Sequence, residues 1–104
     1  MVHSVTPEQA LDLVAERAFE MVDVREDEEW LHGHVAGARH VPLARLRSDP
    51  SSELGHGGII FICAAGVRSE TAAKLAAAAG ITDIYNLSGG TRGWVRAGLP
   101  LVRD

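Results

Sequence analysis

Apolar and polar positions along the chain follow two periods. Ile59-Ile60-Phe61-Ile62 is an unbroken, mostly β-branched run and reads as a buried strand. Phe19-Glu20-Met21-Val22-Asp23-Val24 and Ile81-Thr82-Asp83-Ile84-Tyr85-Asn86-Leu87 read as two more strands, and Ala38-Arg39-His40-Val41-Pro42 as a short one ended by proline. Elsewhere the period lengthens. Ala10, Leu11, Val14 and Ala15 form a helical stripe that begins at Thr6-Pro7-Glu8-Gln9 and ends near Arg17. Thr6 can cap this helix, Pro7 suits its first position and Gln9 completes a capping box. Glu26-Asp27-Glu28-Glu29-Trp30-Leu31 is acidic and helix-prone, and its charge run reads as a solvated face. Leu43 to Leu46 reads as a helical turn, and Arg47 to Gly58 as loop. A helix starting at Ser69-Glu70-Thr71 runs to about Ala79, with Gly80 as its C-cap. Its alanines at 72, 73, 76, 77 and 79 allow close packing on a sheet. Gly89-Gly90 turns into a short helix carrying Trp94, which Gly98 ends. Strands alternating with helices predict an α/β architecture with a mainly parallel sheet.

Composition narrows the picture. A chain of 104 residues is expected to be one domain with its own core. Ten Lys and Arg stand against fourteen Asp and Glu, a net charge of −4, which argues against nucleic acid or an anionic membrane as partner. No apolar run approaches the length that spans a bilayer, and the first residues lack a signal-peptide pattern. One cysteine excludes an internal disulfide framework, so a cytoplasmic protein with a working thiol is expected. His32, His34 and His40 have glycine and apolar neighbours and no zinc-like spacing, so neither a metal nor a cofactor is expected.

That cysteine sits where the strongest strand ends. Ile59 to Ile62 leads into Cys63-Ala64-Ala65-Gly66-Val67-Arg68 and then into the helix at Ser69. Strand, tight loop and helix gather backbone N–H groups around one point, and such a point attracts anions. A thiolate there is stabilised, so Cys63 reads as a nucleophile at the rim of the loop, with a buried core cysteine as the plainer alternative. Gly66 is expected to supply a backbone conformation closed to other residues or room for close approach. Asp23 and Arg25 fall at the carboxyl end of their strand, where open α/β sheets place their sites. They either support the pocket or simply tie loops together.

Cys63-Ala64-Ala65-Gly66-Val67-Arg68-Ser69 resembles the active-site loop of single-domain rhodaneses, a family of sulfurtransferases. Val22-Asp23-Val24-Arg25 resembles the same family. So do Glu29-Trp30 leading into Gly33-His34-Val35-Ala36-Gly37-Ala38, and Leu87-Ser88-Gly89-Gly90 followed by Trp94. The resemblance implies one rhodanese-like domain over residues 1–104, its sheet flanked by helices on both faces. It implies a persulfide on Cys63 cradled by Ala64, Ala65, Gly66, Val67 and Arg68. Arg68 either adds positive charge or braces the loop, and Asp23, Arg25 and Ser69 support it. The Gly89-Gly90 turn is allowed to border the pocket.

The implied reaction moves a sulfane sulfur from thiosulfate or a persulfide donor to a thiol or cyanide, with a protein sulfur acceptor as a possible partner. Two other readings share the motif. A cysteine phosphatase or arsenate-type enzyme uses similar loop physics, but such loops place one residue more between cysteine and arginine than the four found here. A sulfur carrier or protein-docking module would also keep the cysteine. The chain departs from the commonest family pattern at Ala64, where many members carry a basic or larger polar residue. With Ala65 and Val67 also apolar, weak thiosulfate binding is expected, with a persulfide or polysulfide as the physiological donor.

Overall fold

The computed structural model describes residues 2–55 and 57–103. The elements run β1 (His3–Val5), α1 (Pro7–Arg17), β2 (Glu20–Asp23), α2 (Asp27–Leu31), β3 (Arg39–His40) and α3 (Leu43–Ser48). There follow α4 (Pro50–Glu53), β4 (Gly57–Ile62), α5 (Val67–Ala78), β5 (Thr82–Leu87) and α6 (Gly90–Arg96). The five strands form one sheet in the order β1-β5-β4-β2-β3, with every neighbouring pair parallel. β4 is central, which explains its apolar run: both faces of the strand must be covered. Ile59, Phe61 and Cys63 point to one face, where they pack with Leu46, Ala72, Ala73 and Ala76 of α3 and α5. Ile60 and Ile62 point to the other, with Ala10 of α1 and Trp94 of α6. Helices therefore flank both faces, and the α5 alanines make the close approach to the sheet possible.

The order of strands fixes where a site can form. From β2 the chain moves outward to β3; from β4 it moves the opposite way to β5. The connections diverge between β2 and β4, leaving a crevice beyond their carboxyl ends. Asp23 pairs with Ile62 across that boundary, one residue before Cys63.

Two sequence expectations change, and one strand is added to those expected. His3–Val5 is an edge strand parallel to β5, although three residues with only Val5 buried carry no readable period. The helical turn expected at Leu43 to Leu46 extends to Ser48 as α3, and the stretch expected as loop also holds α4, which Asp49 caps by accepting from the Ser52 N–H at 3.3 Å. Leu54 behind it is buried in the core, while His56 lies outside the described residues. α5 begins at Val67, not Ser69, because Gly66 serves as its N-cap. The capping box on α1 forms as expected, with Thr6 and Gln9 exchanging hydrogen bonds of 2.9 and 3.1 Å.

Candidate active site

Cys63 is 1% exposed, so the thiol is not at the rim of the loop, as expected, but beneath it. The alternation of β4 explains this, since Cys63 continues the inward set of Ile59 and Phe61. Yet its surroundings are not those of an apolar core cysteine. The Gly66 N–H donates to Sγ at 3.0 Å, and the Ser69 Oγ lies at 3.3 Å. Burial pushes the thiol pKa up. The Ser69 hydroxyl and the N–H groups of Ser69, Gly66 and Ala65 outweigh it, so the net shift is downward.

The loop turns its amides inward because its carbonyls are engaged elsewhere. Thr91 N–H donates to the Cys63 carbonyl at 2.8 Å and Arg92 N–H to the Ala64 carbonyl at 3.1 Å. The Asn86 Nδ2 donates to the Gly66 carbonyl at 3.3 Å, and the Ser69 hydroxyl donates to Asn86 Oδ1. Gly66 adopts φ +108°, a conformation that side chains rarely reach, which is what aims its N–H at the sulfur. At Gly90 the reason for glycine is space: a Cβ there would collide with the Cys63 carbonyl oxygen and stand 2.6 Å from the Ala64 carbonyl carbon. The expected border role of the Gly89-Gly90 turn thus has a physical basis, the seating of α6 against the loop.

Arg68 forks onto Glu29 of α2 with bonds of 2.7 and 2.9 Å, and so braces the loop to its neighbour. Its bond to Glu29 holds the carboxyl at a pKa of about 2. The acidic run is therefore not only a solvated face, because Glu29 spends its charge on Arg68. Asp23 and Arg25 form a buried pair with contacts of 2.8 to 3.1 Å, and Arg25 also donates to the Gly33 carbonyl at 2.7 Å. They tie the end of β2 to the turn after α2. Sequence reasoning missed Glu29 and Asn86 as partners of the loop. Asn86 had one signal, a polar residue in an otherwise apolar stretch of strand.

The His34 and His40 rings stack on Trp30, with centroids 3.6 and 4.7 Å away. Among the described residues no cluster of three metal-ligating side chains occurs. Beside the loop opens a cleft of about 470 Å³ lined by Arg25, Glu28, Glu29, His32, Ala64, Thr91 and Arg92. No helix among the described residues is long and apolar enough to cross a membrane.

A family model described as the rhodanese-like domain matches residues 6–97. The uncharacterized protein YqhL of Bacillus subtilis is 37% identical over 78 residues, covering 75% of this chain and 62% of YqhL. The chain thus spans less than two thirds of that relative's length. The thiosulfate sulfurtransferase GlpE of Actinobacillus succinogenes is 30% identical over 97 residues, covering 93% of this chain and 87% of GlpE. Among solved structures, a rhodanese-related protein of Thermoplasma volcanium superposes with a TM-score of 0.85 at 27% identity, covering 98% and 99% of the two chains.

Proposed function

Because the chain belongs to the rhodanese-like family, we propose that it is a sulfurtransferase that carries a sulfane sulfur as a persulfide on Cys63. The observation that carries this reading is the Cys63 sulfur itself, held at 3.0 Å by the Gly66 N–H and at 3.3 Å from the Ser69 hydroxyl. Those groups favour the thiolate, so the nucleophile needs no separate base. The thiolate attacks the outer sulfur of thiosulfate. A new S–S bond forms to Cys63, the sulfur–sulfur bond of thiosulfate breaks, and its electron pair leaves with sulfite. The Cys63 persulfide anion then gives its outer sulfur to cyanide, forming thiocyanate, or to an acceptor thiolate, forming a new persulfide; either way the Cys63 thiolate is regenerated. Since the thiol is buried, loading requires the lip of the loop at Ala64 to Gly66 to part.

Intact-protein mass spectrometry tests the relay. The parent is expected to gain one sulfur atom from thiosulfate or a small persulfide and lose it to cyanide, while Cys63→Ser gains none. Repeated turnover separates an enzyme from a sulfur carrier. Absence of any gain from either donor would sink the sulfurtransferase reading.

A further inference from the structure

The cleft beside the loop holds two arginines besides the one that braces it from behind, and their charges are not equally available. Arg25 is spent on Asp23 at 2.8 Å and on the Gly33 carbonyl. Arg68 is spent on Glu29, oxygen for nitrogen, at 2.7 and 2.9 Å. Arg92 is different. Its side chain is exposed on the cleft wall and makes no ion pair or hydrogen bond with any described residue. Its backbone N–H is fixed to the Ala64 carbonyl at 3.1 Å, so the base of this side chain is anchored against the residue next to the nucleophile. Apart from Arg68, the loop offers no basic side chain, since Ala64, Ala65 and Val67 are all apolar.

We propose that Arg92 forms the anion-binding subsite of this cleft and holds the negatively charged end of the sulfur donor, a sulfonate or carboxylate, beside the Cys63 loop. The assignment rests on the sulfurtransferase reading for its ligand but on the charge pairing for its residue. A guanidinium without a partner can fork onto such an oxyanion without first breaking an existing pair. Arg68 would have to release Glu29 to do the same. Across the cleft, Glu28 is likewise unpaired, exposed and negative. The site therefore carries one free cation and one free anion, and Glu28 opposes a multiply charged donor that Arg92 attracts.

Thiosulfate binding measured by calorimetry in the Cys63→Ser background, where no sulfur can be transferred, tests the subsite apart from the chemistry. Arg92→Gln is expected to weaken thiosulfate about tenfold, Arg92→Lys much less, and Glu28→Gln to strengthen it about twofold. In the Cys63 protein the same changes are expected in KM for thiosulfate, with kcat altered less than about twofold. A merely structural role for Arg92 would not give opposite signs at Arg92 and Glu28, nor rescue by lysine. Unchanged thiosulfate affinity in Arg92→Gln overturns the subsite, whether or not the parent transfers sulfur. Arg92-dependent binding in a parent that never gains sulfur would keep the subsite and discard the sulfurtransferase reading.

Discussion

At the scale of single residues, the reactivity of Cys63 is a contest between burial and hydrogen bonding. A thiol this deep would ordinarily stay protonated. Ser69 decides the contest, being the strongest of the groups that favour the thiolate. A serine hydroxyl has one proton to donate, and Ser69 gives it to Asn86 Oδ1 in this structure. When the thiolate forms, that proton can turn to the sulfur instead, at 3.3 Å. Ser69→Ala removes this option and raises the thiol pKa toward the value burial alone would give. The sign follows: reactivity rises with pH through the pKa, so the variant's pH profile moves to higher pH. Alkylation of Cys63 by iodoacetamide, followed from pH 5 to 10, is expected to be about tenfold slower than in the parent at neutral pH and to converge at high pH. An unshifted profile would mean that the amides alone hold the thiolate.

Between elements, the loop is held from two sides. α6 takes the loop carbonyls through Thr91 and Arg92, and α2 takes Arg68 through Glu29. The Glu29 carboxyl, held at about 2 in the fold, titrates near 4.3 when unfolded. Its folded pKa is depressed, so the stabilisation is present above the unfolded pKa and is lost as pH falls from about 4 toward about 2. Both partners are about one third exposed, which lets solvent screen the pair. Glu29→Gln is therefore expected to cost only about 1 kcal/mol at pH 7. Urea unfolding of variant and parent at pH 7 and at pH 2.5 checks this: the difference should shrink in acid, and an equal difference at both would assign the loss to packing.

Across the whole molecule, one parallel sheet separates two apolar clusters that share no residues but share β4. Ile60 packs with one and Phe61 with the other, both fully buried. Because each cluster is built on the same strand, neither layer can be lost without exposing the other. Unfolding is expected to be a single transition, with fluorescence of Trp30 and Trp94 and far-UV circular dichroism giving coincident curves in urea. Ile60→Ala and Phe61→Ala should each cost about 2 to 5 kcal/mol and shift the whole curve. Separate transitions in either variant would show that the two faces fold independently.

The sequence by itself determined the α/β architecture, the central strand and the cysteine loop. These are local matters: a β-branched run, a capping box and a glycine at a strand-to-helix turn act within a few residues of one another. It also pointed to Gly66, whose positive φ is the reason for a glycine there. What lay beyond it was pairing at a distance. That Glu29 would neutralise Arg68, 39 residues away, depends on α2 and α5 meeting beside the crevice. That Asn86 would sit behind Ser69 depends on β5 lying next to β4. The edge strand at His3–Val5 was illegible because three residues have no period, and β5 supplies their hydrogen bonds. The tertiary structure alone decided which arginine keeps a free charge, because a side chain's availability is settled by whichever opposite charge the fold brings within reach.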